Sequence, residues 1–147
     1  MLGFAGLELE PIAMGPCLIP AYDAKVPAGF PSPAADYVEG RIDLQSVLVP
    51  HPSATFTLRI AGHSMIRAGI HDGDIAIVDR SLTPRHDDVV VAVLDGELTC
   101  KRLLVRGGRT WLAPDTDDPA YRPAEVTGRP DFEIWGVISA TIRLHRR

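Results

Sequence analysis

The sequence predicts a mainly β domain, a compact and strongly curved sheet, with a Pro-rich extended N-terminal arm and one or two short helices. Three observations predict it. From Thr55 onward, short apolar runs are separated by turn residues, the pattern of a small all-β body. Asp95-Gly96 stands between two such runs and is a strong two-residue hairpin signal. Six prolines fall between Pro11 and Pro33, and proline removes backbone donors and blocks both helices and central strands.

The arm, residues 1–28, is expected to be extended and irregular. It is not polar throughout, since Ile12, Leu18, Ile19, Tyr22 and Val26 recur along it. An apolar, irregular arm needs a surface, so it is expected to pack across the body, residues 29–147. A short helix should follow, with Ser32 as N-cap, Pro33 in the first helical position, Ala34 to Glu39 continuing it and Gly40 as its stop. A second helical turn is expected near Asp43 to Leu48, closed by Pro50 and Pro52.

The strands follow in order. Thr55 to Ala61 and Asp74 to Asp79 are the first two of the body. Val89 to Leu94 is apolar on both faces, as a central strand is. Leu98 to Val105 returns from the hairpin, Gly107-Gly108 turns, and Thr110 to Ala113 runs out again. Phe132 to Leu144 alternates, which puts Phe132, Ile134, Gly136, Ile138, Ala140, Ile142 and Leu144 on one face.

Composition bounds the function. A chain of 147 residues is expected to form one domain that buries roughly 70% of its unfolded surface. A net charge of −4 with scattered basic residues argues against broad nucleic-acid binding. Two cysteines, Cys17 and Cys100, form no disulfide framework and suit no metal site. They fit a reducing cytoplasm. No apolar run approaches the ~18 residues of a membrane span, and the N-terminus lacks the basic region of a secretory signal.

The chemistry centres on Ser64 and Lys101. Ser64 sits in Gly62-His63-Ser64-Met65, just after a strand. Alone, a serine there is an ordinary turn residue. The main-chain N–H groups of His63 and Ser64 lie where they could face a developing oxyanion. Lys101 lies in an apolar strand-like run and shares its face with Thr99 and Leu103. An ordinary lysine has a pKa near ~10.4, so only about one in 2,500 is neutral at pH 7, a penalty of roughly 4.6 kcal/mol. Burial lowers lysine pKa values by up to about 3–5 units, which removes most of that penalty. A lysine at a strand edge with its ammonium in water is the plainer alternative.

Other constellations are weaker. The five histidines, His51, His63, His71, His86 and His145, lack metal-ligand spacing. His63 and His71 could be drawn into a triad, but His63 is the immediate neighbour of Ser64. Asp72-Gly73-Asp74 reads as a turn, since the twelve-residue calcium loop is absent. A nucleophile, a candidate base and an Ala28-Gly29 bond in an extended arm together suggest a protein that cuts itself.

Gly62-x-Ser64-Met65, then Gly69-Ile70-x-Asp72-Gly73-Asp74 with Val78-Asp79, then Lys101 at an interval of 37, resemble the LexA/UmuD family of self-cleaving Ser-Lys peptidases. The arm sharpens the likeness: Ala28-Gly29-Phe30-Pro31-Ser32-Pro33-Ala34-Ala35-Asp36-Tyr37 resembles the region around a UmuD-type cleavage site. The similarity runs from about Val26 to the C-terminus.

The resemblance implies a C-terminal peptidase β fold, with Ser64 as nucleophile, Lys101 as base and Ala28-Gly29 as the bond cut. Alanine before the scissile glycine is the LexA-like choice where UmuD has cysteine, and His63 departs from the family pattern. Only 28 residues precede Gly29, too few for a helix-turn-helix domain, so no sequence-specific DNA binding is expected. It further implies a cytoplasmic homodimer, activation by a RecA–single-stranded-DNA filament, and a shortened form serving a UmuC-like translesion polymerase subunit in the SOS response. No metal or organic cofactor is implied. Two alternatives stay open: a non-catalytic dimeric binding module of the same fold, and a signal-peptidase-like enzyme, which would need a membrane anchor.

Overall fold

The structure is a computed structural model that describes residues 2–4, 7–9, 15–22, 26 and 38–146. Its centre is a seven-stranded sheet, antiparallel throughout. In chain order its strands are β5 (Thr55–Arg59), β6 (Ile75–Asp79), β7 (Val89–Leu94), β8 (Glu97–Arg106), β9 (Arg109–Ala113), β10 (Ala124–Glu125) and β11 (Phe132–Ile142). Their order across the sheet is β10-β9-β8-β7-β11-β6-β5. Two small antiparallel ribbons precede it: β1 (Leu2–Phe4) with β2 (Leu7–Leu9), and β3 (Leu18–Tyr22) with β4 (Val38–Asp43).

Local chemistry explains most of these elements. Asp95 and Gly96 both have positive φ, 54° and 79°, which the tight β7–β8 hairpin requires. β7 is buried on both faces. Val90 and Ala92 join Leu103, Leu112, Val126 and Val137 in one apolar cluster, while Val91 joins Phe56, Ala76, Val78 and Trp135 in a second. The second helix is present as α1 (Leu44–Leu48). Asp43 caps it, accepting from the Gln45 N–H at 3.1 Å and the Ser46 hydroxyl at 2.6 Å.

Three expectations need correction. Val38, Glu39 and Gly40, read as the end of a helix, lie in strand β4; residues 32–37 of that helix are outside the described residues. Pairing with β3 overrides the local helical signal, with Ile19 opposite Ile42. The arm is accordingly not irregular from Leu18 to Tyr22. Pro20 is tolerated because this two-stranded ribbon is all edge. Nor does this part of the arm lie apolar-side-down on the body: Leu18, Ile19 and Val26 are exposed, and Ile12 is outside the described residues. Cys17 closes the end of the ribbon where it meets α1: its N–H donates to Asp43 Oδ1 and its carbonyl accepts from the Leu44 N–H.

The third correction concerns the last strand. The expected alternation breaks because β11 is bulged twice, between Ile134 and Gly136 against β7 and between Ile138 and Ala140 against β6. A bulge inserts one residue and reverses the parity of everything after it. Phe132 and Ile134 therefore share the first cluster with Val137, while Trp135 and Ile138 belong to the second. Leu144 lies beyond the strand and is exposed.

Gly136 sits where the bulged strand presses on β6. A Cβ there would stand 2.5 Å from Val78 Cγ1 and 3.2 Å from Arg80 Cγ. Val78 is fully buried and stiff at χ1, so it cannot swing aside. Gly136→Ala is expected to cost about 1–3 kcal/mol of stability by overpacking, seen as a lower urea midpoint with an unchanged slope.

Candidate active site

The Ser64 loop follows β5. It begins with a glycine the geometry demands: Gly62 has φ +89°, and its N–H donates to Asp72 Oδ1 at 2.8 Å. Ser64 comes next but one, then buried Met65, then a 3-10 turn over Ile66–Ala68 closed by left-handed Gly69. The Asp72-Gly73-Asp74 turn fastens this loop to the sheet. The Ile60 N–H donates to the Asp74 carbonyl, the Gly73 N–H to the Ile60 carbonyl, both at 2.8 Å. The buried Asp74 carboxylate takes two bonds from Arg143, each 2.7 Å, and the Arg143 guanidinium holds its pKa down to about 2.

Lys101 comes from the middle of β8, opposite Val90. Its Nζ lies 3.0 Å from Ser64 Oγ, 3.1 Å from Thr99 Oγ1 and 3.1 Å from the Cys100 carbonyl. Thr99 shares the lysine's face as the alternation requires. The two residues line one cleft of about 240 Å³, together with Leu58, Ile60, Met65, Val91 and Leu98.

Burial disfavours the charged form of the Lys101 amine. Burial pushes the Lys101 pKa below the ordinary lysine value, opposed only by charge on Cys100. Burial also pushes the Cys100 thiol up to about 11. Cys100 is therefore an uncharged thiol at neutral pH, and the opposing charge is absent there. A neutral amine 3.0 Å from a hydroxyl accepts its proton; the charged form donates to the same oxygen.

Among the described residues, the main-chain N–H groups of His63, Ser64 and Met65 donate no hydrogen bond. Nothing among the described residues accepts from the two expected oxyanion donors, and the Met65 N–H is a third such group. His63 is exposed, and Ser64 Oγ meets a lysine and no histidine. His51 is engaged elsewhere, 2.6 Å from buried Asp79. Ala28 and Gly29 lie outside the described residues.

Sequence reasoning missed Asp115 and Arg102. The Asp115 N–H donates to the Ser64 carbonyl at 2.8 Å, and the Arg67 N–H donates to the Asp115 carbonyl at 2.9 Å. Arg102, next to Lys101 on β8, reaches Asp115 Oδ2 at 3.0 Å. No spacing signal marks Asp115, which sits in an irregular segment after β9.

An open antiparallel sheet bearing a serine–lysine contact in an apolar cleft is a peptidase-like arrangement. The chain belongs to the Peptidase S24-like family, whose sequence profile matches residues 20–139. Within that family it is a UmuD-like member of the LexA/UmuD group. It is 48% identical to Protein ImpA of Escherichia coli over 130 residues, covering 86% of this chain and 85% of that one. It is 42% identical to Protein MucA of Escherichia coli over 127 residues, 86% of each. Its likeness to Protein SamA of Salmonella typhimurium, 38% over 146 residues, takes in 99% of this chain and 98% of that one. That similarity reaches through the arm, beyond the start expected near Val26. Among the described residues, no helix is long and apolar enough to cross a membrane.

Proposed function

We propose that the protein is a self-cleaving serine peptidase that cuts its own Ala28–Gly29 bond, separating an arm of residues 1–28 from a peptidase domain of residues 29–147. The observation that carries this reading is the 3.0 Å contact between Ser64 Oγ and Lys101 Nζ in an apolar cleft. Neutral Lys101 takes the Ser64 hydroxyl proton as Oγ bonds to the Ala28 carbonyl carbon. The oxyanion is held by N–H groups of His63 and Ser64. The C–N bond to Gly29 then breaks, and the Lys101 proton passes to the leaving amine. Water, deprotonated by Lys101, attacks the acyl-enzyme; the proton returns to Ser64 Oγ as the ester opens, and the arm leaves as a carboxylic acid.

The family resemblance supports the setting. The protein acts in the cytoplasm as a homodimer, a RecA–single-stranded-DNA filament favours the cleavable arm conformation, and the shortened chain serves a UmuC-like translesion polymerase subunit during the SOS response. The test is intact mass before and after incubation with RecA filaments. The expected product lacks residues 1–28, and it should support damage-induced mutagenesis where full-length Ser64→Ala protein does not. An unchanged mass, in filaments that activate a known relative, would favour the non-catalytic binding module.

A further inference from the structure

We propose that Arg102 and Asp115 are positioning residues that fix Ser64 against Lys101, an inference that rests on the Ser-Lys reading above. Ser64 belongs to no strand, so its place depends on what its loop is tied to. Asp72 holds the loop's entry at the Gly62 N–H, and Arg143 holds its exit, donating to the Gly69 carbonyl at 3.0 Å. Both of these anchors come from outside β8. Asp115 grips the middle, through main-chain bonds to Ser64 and Arg67.

Asp115 is itself irregular backbone, and its carboxylate is held by Arg102. Arg102 is braced in turn, since Nη1 donates to the Asp87 carbonyl at 2.8 Å and the Asp87 N–H donates to the Leu103 carbonyl at 2.8 Å. Lys101 and Arg102 are consecutive on β8, so they leave opposite faces of one strand. A closed ring results: Lys101 touches Ser64, the Ser64 main chain bonds Asp115, Asp115 pairs with Arg102, and Arg102 is covalently next to Lys101. Nucleophile and base are thereby referred to the same strand. The Arg102–Asp115 side chains are 28% and 31% exposed, against 61% and 88% for the nearby Arg67–Asp117 pair. The first pair is sheltered from screening, whereas the second is the exposed kind that contributes little.

The test uses the full chain and measures its first-order self-cleavage rate against pH, with melting temperature alongside. Arg102→Gln and Asp115→Ala should each lower the alkaline plateau by about tenfold to a hundredfold, the cost of a misplaced reacting group. The double variant should be slower than the worse single one by no more than about twofold, because both break one link. Asp115→Asn should recover most of the rate, since its amide oxygen still accepts from Arg102, and Asp117→Ala should match the wild type. If Asp115→Ala fails to fold, Arg102→Gln carries the test alone.

A wild-type plateau in folded Arg102→Gln overturns the proposal while leaving the peptidase reading intact. So does an Asp115→Asn chain as slow as Asp115→Ala, because an oxygen that still accepts from Arg102 would then fail to hold Ser64 in place. A wild-type chain that never shortens, or a Ser64→Ala chain that does, sinks the peptidase reading and this proposal with it.

Discussion

Ser64→Ala is expected to stop self-cleavage, a loss of roughly ten-thousandfold or more, because nucleophile and base act as one unit. Lys101→Ala should do the same. Lys101→Arg is the sharper variant: it keeps the charge and length but carries a guanidinium that proteins do not deprotonate, so it supplies no base. Ser64→Ala and Lys101→Ala should fold. Ser64 is on a loop and half-buried, and removing the Lys101 amine relieves burial of a group whose charged form the site disfavours. Time courses by intact mass, paired with melting curves, check both halves. Normal cleavage in a folded Ser64→Ala or Lys101→Ala chain would remove the dyad from the mechanism.

Cleavage without an activator should accelerate steeply with pH. Only neutral Lys101 accepts the Ser64 proton, so below its folded pKa the rate rises about tenfold per pH unit and above it levels off. Burial lowers that pKa, so the plateau begins below the range of an ordinary lysine. The same shift bears on stability with a definite sign. The folded state binds the Lys101 proton less readily than the unfolded chain, so the penalty is full below the folded pKa and fades as pH rises toward the unfolded value. Lys101→Ala should therefore gain stability at neutral pH and lose that advantage in alkali. A rate flat or falling from neutral to alkaline pH, in a chain shown by circular dichroism to stay folded, would count against a lysine base.

How much was legible from residues alone varied with the range of the interaction. The β7–β8 hairpin was readable because Asp95-Gly96 encodes its own turn. The α1 turn was readable because Asp43 caps it from the adjacent position. The strand Leu18–Tyr22 was hidden, since its partner lies some twenty residues on and its own proline argues against a sheet. The face of β11 was misread beyond Ile134, because a bulge is set by the strands on either side and not by the strand's own pattern. Asp115 carried no signal because it holds Ser64 through a main-chain bond that any residue type can make, and Arg102 meets it through a side-chain pair that only the fold brings together.

The sequence by itself determined the chemical groups at the site: a serine after a glycine turn, a lysine among apolar neighbours, and the strands that carry them. Whether those groups meet was decided by tertiary structure. Three strands, β7, β11 and β6, separate β8 from β5. In a flat sheet, four spacings of about 4.8 Å would hold β5 and β8 roughly 19 Å apart. The loop after β5 and the length of the lysine side chain close part of that gap. Curvature closes the rest, and the two bulges in β11, at the centre of the span, increase the twist that bends the sheet. The 3.0 Å contact between Ser64 and Lys101 is thus a property of the curved sheet, because residue identity sets what a side chain can do while only packing sets how near it comes.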